Sequence, residues 1–113
     1  MIGSSARTWV PEKNESSTPA QARVQTLRAV TQQIVKAAPQ DAALAYRVAD
    51  DYLRSVALVL MEWAWLRIEA GVDASDPQSA QRWSAPAKAL RDWVLPEFQM
   101  RSYIIVSQCT AAA

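Results

Sequence analysis

Carboxylates in the middle of the chain are the first residues to consider for chemistry. Asp50 and Asp51 are adjacent, and Glu62 stands alone among apolar residues. Neighbours on a helix point about 100° apart, so Asp50 and Asp51 are poorly placed to share a proton. Arg47 and Arg54 lie three or four residues from them, which predicts surface ion pairs rather than acid–base catalysis.

Glu62 has no partner on its own predicted helix. Its neighbours three and four positions away are all apolar: Leu58, Val59, Trp65 and Leu66. A buried carboxylate must meet a cation from another segment or be neutralised. The candidate cations are Arg28, Lys36, Lys88 and Arg91. We interpret Glu62 as reaching solvent at a groove between helices or forming an inter-helix ion pair, and not as a catalytic group.

Several kinds of active site are excluded by composition. The chain has no histidine, which removes Ser–His–Asp and Cys–His arrangements and histidine-containing metal sites. Its two glycines, Gly3 and Gly71, cannot build a phosphate-binding loop. The single cysteine, Cys109, forms no internal disulfide and lacks a neighbouring base, which fits a reducing compartment and an unreactive thiol. We therefore expect no catalytic residue, cofactor or metal in this chain.

Charge and hydropathy bear on its surroundings. The formal net charge is +1, which gives no electrostatic argument for nucleic acid. The apolar run at residues 56–66 is much shorter than the roughly 20 residues of a membrane span, and Glu62 interrupts it. No apolar signal-peptide segment stands at the N-terminus. We expect a cytoplasmic protein without a membrane span.

An N-terminal arm and a helical domain organise the 113 residues. Residues 1–18 contain Ser, Thr and Pro without an apolar period, so they are interpreted as a flexible arm; residues 19–113 form one helical bundle. The first helix begins after Thr18, whose hydroxyl can cap backbone N–H groups. The second runs from near Asp41 to Gly71.

The third helical region is interrupted by prolines. It opens at Asp76, and Pro86 and Pro96 each remove a backbone hydrogen bond, which predicts a broken helix. The β-branched run at residues 103–106 resembles a strand, but a lone strand has no partner here. The prediction is an all-α fold, an antiparallel bundle of three long helices with the third broken.

The second helix carries an apolar stripe that should face the core. Its members are Leu44, Val48, Tyr52, Val56, Val59, Trp63 and Leu66. Trp63 and Trp65 point about 200° apart and cannot sandwich one ligand, so we predict Trp63 in the core and Trp65 at an association surface. Five tryptophans exceed what a thin core can cover, which favours a two-fold homodimer. The core or interface candidates are Tyr52, Val59, Glu62, Trp63, Trp65 and Trp93.

Two segments resemble the C-terminal helical extension of bacterial acyl-CoA dehydrogenases. Residues 43–71 match its pattern of Ala–x–x–Tyr–Leu–Arg followed by Trp–x–Trp–Leu–Arg, and residues 88–109 match a later helix with a Leu–Pro turn. The matching positions are Ala49, Tyr52, Leu53, Arg54, Trp63, Trp65, Leu66, Arg67, Leu95 and Pro96. Glu62 departs from the family pattern, where a small or apolar residue is expected. The region 71–87 is also shorter and richer in proline.

The resemblance implies a limited role for this chain. The family's enzymes are FAD-dependent and oxidise acyl-CoA thioesters, but their catalytic carboxylate and flavin-binding residues belong to an upstream core. No catalytic or FAD-binding residue is therefore carried onto any position here. The implied function is a packing or oligomerisation module whose partners are a second copy or an acyl-CoA dehydrogenase core. The alternative is an independent helical adaptor or regulatory protein.

Overall fold

Helices account for nearly all of the residues in the computed structural model, which describes residues 18–72 and 76–112. In chain order they are α1 (Pro19–Ala37), α2 (Leu44–Ala70), α3 (Pro77–Ala89) and α4 (Glu97–Ala112). No strand occurs in these two ranges, which confirms the all-α prediction. The predicted arm lies outside the described residues except for Thr18.

Local sequence signals set the start of α1. The Thr18 hydroxyl accepts a hydrogen bond from the Gln21 backbone N–H at 3.1 Å, and the Gln21 side chain accepts one from the Thr18 N–H at 3.0 Å. This reciprocal capping box satisfies two N–H groups that lack helical partners. Pro19 occupies the first turn, where its missing N–H does no harm.

α2 is the longest helix, with 27 residues and a length of about 40 Å. Asp41 precedes it and accepts a hydrogen bond from the Ala43 N–H at 3.2 Å. One side of α2 is buried along its length, at Leu44, Val48, Ser55, Leu58 and Glu62. These positions recur with helical periodicity, so α2 packs on one side only.

The third helical region is broken at one of its two internal prolines. α3 continues through Pro86. Because Pro86 is exposed, water can donate a hydrogen bond to the backbone carbonyl that would otherwise accept one from an N–H at this position. A wide turn follows at Leu90–Val94, and the Leu95 N–H donates to the Leu90 carbonyl at 2.8 Å. Pro96 has no N–H to continue the ladder, and α4 begins at the next residue. The predicted interruption is confirmed, but Pro86 does not cause it.

Two apolar clusters hold α1, α2 and α4 together. The first joins all three helices through Val30, Ala37, Leu44, Val48, Ile105 and Cys109. The second brings Leu58 of α2 against the turn and the first residues of α4, through Leu90, Leu95 and Phe98. Both clusters lie along the buried side of α2, which is the element common to the core.

The polar contacts run in opposite chain order between α2 and its neighbours. Arg23 of α1 meets Glu62, whereas Thr31, further along α1, meets Tyr52. On α4, Arg101 bonds to Asp51 at 2.8 Å, and Gln108 accepts a hydrogen bond from Arg47 at 2.9 Å.

Thinness limits how much of α2 can be covered. The Cα positions span 55 × 35 × 17 Å, and with helix axes about 8–10 Å apart, at most two layers of helices fit across the shortest dimension. A layer this thin cannot enclose a helix that is apolar on several sides. No helix in the described ranges has an apolar stretch long enough to traverse a bilayer.

The predicted position of Trp63 in the core is wrong. Its side chain is 58% exposed, whereas Trp65 is only partly exposed. Leu66, also assigned to the core stripe, is 42% exposed. The buried side is centred on Ser55 and Glu62 because α1 and α4 both contact α2 there. The sequence of α2 is apolar on all sides, so the pattern alone did not show which side α1 and α4 would contact.

Candidate functional site

An apolar row on the uncovered side of α2 is the candidate functional site. Its residues recur at alternating steps of three and four, and a cation ends the apolar row: Tyr46, Ala49, Leu53, Val56, Leu60, Trp63 and Arg67. We call this row the heptad face. Tyr46 is 85% exposed, Leu53 68% and Leu60 58%. An average spacing of 3.5 residues is that of helices that pair in coiled coils.

The heptad face borders a groove shared with α1. Val24 and Val35 on α1 are exposed apolar residues facing the same groove. One cavity of about 800 Å³ lies towards Leu60 and Trp63. A second of about 550 Å³ lies towards Leu53 and has an almost wholly apolar lining. Contiguous exposed apolar surface of this kind is typical of interaction sites.

Glu62 forms the inter-helix ion pair that the sequence allowed, with a cation the sequence analysis had not selected. Its carboxylate accepts a hydrogen bond from Arg23 at 2.6 Å, and the Glu62 residue is 7% exposed. All four candidate cations were wrong, because α1 crosses α2 at a level that places Arg23 opposite Glu62. Lys88 and Arg91 of the third helical region instead pair with Asp92 and Glu69. The pair ties α1 to α2 at the edge of the larger cavity.

Tyr52 and Val59 lie at the boundary between α1 and α2, and both are partly buried. The Thr31 hydroxyl donates to the Leu27 carbonyl at 2.8 Å and lies 2.7 Å from the Tyr52 hydroxyl oxygen. Because a hydroxyl has one hydrogen, Tyr52 must donate to Thr31. Val59 packs against the second apolar cluster. Both residues therefore help to fix the orientation of α2 against α1.

The three candidate tryptophans lie in different environments. Trp65 meets Trp83 of α3 edge to face, with ring centroids 5.9 Å apart. Trp63 is covered on one side by the guanidinium of Arg67, 5.1 Å from its ring centroid. Trp93 is 83% exposed in the turn before α4. Trp63 belongs to the heptad face, and Trp65 anchors α3 to α2.

The adjacent carboxylates take part in ion pairs. Asp50 lies 3.5 Å from Arg54, and Asp51 pairs with Arg101 at 2.8 Å. Hydrogen bonds from Arg101 to Asp51 and Glu97 raise the pKa of that guanidinium. Their arrangement is that of a structural charge network on the surface between α2 and α4, not of a general acid and base.

Asp41 and Cys109 also have shifted pKa values. A hydrogen bond from Arg47 lowers the pKa of Asp41, so Arg47 pairs with Asp41 rather than with the adjacent carboxylates. Burial raises the pKa of the Cys109 thiol, which is enclosed in the first cluster. A thiol held protonated is a poor nucleophile. No cluster of three or more potential metal ligands occurs in the described part of the chain.

Sequence reasoning missed the heptad face, although its signal was present. The alternating steps from Tyr46 to Arg67 can be read from the sequence, but the same helix offers a second apolar stripe through Leu44 and Val48. Only the packing of α1 and α4 shows which stripe is left exposed. No model of a known protein family, no curated protein and no solved structure matches this chain.

Proposed function

We propose that this chain is a non-catalytic helical packing and oligomerisation module that associates with a second copy through the heptad face. The main observation in support of this proposal is a row of side chains, most of them large and apolar, at coiled-coil spacing on an exposed side of a 27-residue helix. Leu53, Leu60 and Trp63 gain by leaving water, and each contributes about 1.5–3 kcal/mol when fully buried. A second copy presents the same face and can cover it.

The relation to acyl-CoA dehydrogenases is part of the same proposal. The two segments with family resemblance, residues 43–71 and 88–109, correspond to α2 and to the turn with most of α4. These elements contact each other closely in the fold, which supports treating them as one packing unit. An enzyme core that holds FAD and oxidises acyl-CoA would be a separate part of the assembly, in the cytoplasm.

Sedimentation velocity over micromolar concentrations tests the association. The wild-type chain should sediment as a dimer. Leu53→Glu/Leu60→Glu should be monomeric with an unchanged helical circular dichroism spectrum, because two buried carboxylates per copy would be unpaired in the interface. Tyr103→Glu is the matched control, since Tyr103 is 72% exposed on α4 and lies off the heptad face.

Two outcomes would overturn the proposal. One is a wild-type chain that remains monomeric across the concentration range. The other is a dimer that the double substitution leaves intact while Tyr103→Glu dissociates it, which would move the interface to α4.

A further inference from the structure

The direction in which two copies pair is encoded in the heptad face, and this inference rests on the proposed function. The face runs from Tyr46 to Arg67, about 33 Å at 1.5 Å per residue. With the adjoining side of α1, about 20 Å of width is available, which gives roughly 700 Å² before side-chain relief is counted. Stable interfaces of standard size bury about 600–1,000 Å² on each partner. The face is therefore large enough for a second copy.

Side-chain size differs between the two ends of the face. Ala49 lies near the start, and Trp63 lies near the end. In a parallel pair, Ala49 would meet the partner's Ala49 and Trp63 would meet the partner's Trp63. The two alanines would leave a cavity in the interface, and the two tryptophans would be too large for the space between the helices. Both cavities and overpacking are destabilising.

The charges also differ between the two ends. Near the start of the face, Asp50, Asp51 and Glu97 outnumber Arg54 and Arg101 by one. Asp50 remains accessible there, with 72% of its side chain exposed. This ion-pair network therefore holds one more carboxylate than guanidinium group, and Asp50 is its most exposed carboxylate.

The other end carries an excess positive charge. Glu69 is paired with Arg91, and Glu62 is paired with Arg23. Arg67 contacts the Trp63 ring and forms no ion pair within residues 18–72 and 76–112. Arg67 and Asp50 lie about 26 Å apart along α2, beyond a Debye length of about 8 Å, so they cannot neutralise each other in one copy.

We infer that two copies pair α2 in opposite directions, with the two-fold axis level with Val56–Leu60 and Arg67 beside the partner's Asp50. This axis sets Val56 beside the partner's Leu60 and Leu53 beside the partner's Trp63. Ala49 then leaves room for the partner's Arg67. Large residues face smaller ones, and opposite charges meet at both ends of an isologous interface.

Cysteine cross-linking in a Cys109→Ser background tests the direction. With a short bifunctional maleimide, Val56→Cys should link to its own copy because it lies next to the axis. Ala49→Cys should not, because the two copies of that residue are about 27 Å apart along the helices. An equimolar mixture of Ala49→Cys and Arg67→Cys should form the mixed cross-link.

A charge swap provides an independent readout. Arg67→Glu and Asp50→Arg should each raise the dimer dissociation constant roughly tenfold at low salt, and the double variant should recover most of the affinity. Dimers in which Ala49→Cys links to itself, or in which the double variant shows no recovery, would overturn the antiparallel arrangement and leave the proposed function standing. A monomeric wild-type chain in sedimentation would instead remove the proposed function.

Discussion

Glu62 is the one buried carboxylate among the described core residues, and Arg23 is the cation that pairs with it. Both groups are largely removed from water, so their hydrogen bond replaces hydration that each loses on folding. The pair lies at the side of the groove and has no other polar partner among the described hydrogen bonds. Its role is to fix α1 against the second half of α2.

Removing Arg23 should destabilise the fold more than removing both partners. Arg23→Met leaves Glu62 without its cation, and we expect a loss of about 1–3 kcal/mol in the free energy of unfolding. Arg23→Met/Glu62→Leu should recover much of it. Urea unfolding at one fixed protein concentration measures both changes. A double variant no more stable than Arg23→Met would contradict this account of Glu62.

Trp63 and Trp65 separate association from folding. Trp65→Ala removes the contact with Trp83 and should lower the unfolding free energy by about 2–4 kcal/mol, because Trp65 is partly buried. Trp63→Ala should leave monomer stability within about 1 kcal/mol of wild type and weaken the dimer. Denaturant titration and sedimentation of both variants check this division, and a reversed pattern would show that Trp63 belongs to the core.

Cys109 makes stability depend on alkaline pH. Burial raises the thiol pKa in the folded chain, so above the ordinary value of about 8.5 the unfolded chain ionises first. The contribution of this thiol to stability is complete below that value and declines as pH rises towards the folded pKa. Wild type should therefore lose more stability than Cys109→Ala between neutral and alkaline pH. Parallel pH profiles would rule out this contribution.

At the scale of the helix, the capping box is the clearest link between sequence and local structure. Thr18→Ala removes the hydroxyl that receives the Gln21 N–H, and we expect a loss of about 1 kcal/mol. Thr18→Asp should retain most of the stability because its carboxylate can cap the same N–H. Thr110→Ala, near the exposed end of α4, is the control and should have a smaller effect. Thermal unfolding followed by circular dichroism compares the three variants.

α2 contributes residues to two different surfaces because it is apolar on more than one side. Its buried side belongs to the core with α1 and α4, and its heptad face remains available for a partner. The interruption before α4 brings Leu95 and Phe98 against Leu58. The turn at Leu90–Val94 therefore lets the third helical region contribute to the core without covering the heptad face.

At the scale of the whole molecule, folding and association should be linked. A dimer that forms only from folded chains gains stability with protein concentration. The thermal midpoint of the wild-type chain should rise as concentration increases, whereas that of Leu53→Glu/Leu60→Glu should not. Differential scanning calorimetry across a concentration series measures this. A concentration-independent midpoint for wild type, despite a dimer in sedimentation, would mean that association adds no stability to the folded chain.

Local patterns in the sequence determined the helices. Thr18 with Pro19 predicted the start of α1, and Pro96 predicted the break in the third region, because capping and a missing N–H act within one helical turn. The isolation of Glu62 among apolar neighbours also predicted either exposure to solvent at a groove or an ion pair with another helix. These inferences needed only residues that are close in the chain.

Tertiary structure alone decided which side of α2 is buried. The sequence offers apolar residues on both sides, and burial depends on where α1 and α4 come to lie, which is set by contacts between distant segments. The same packing places Arg23, rather than Arg28, beside Glu62. It also leaves Trp63 exposed, whereas Trp65 is in contact with α3. Helix formation is local, but which face of α2 is buried depends on how all the helices pack together.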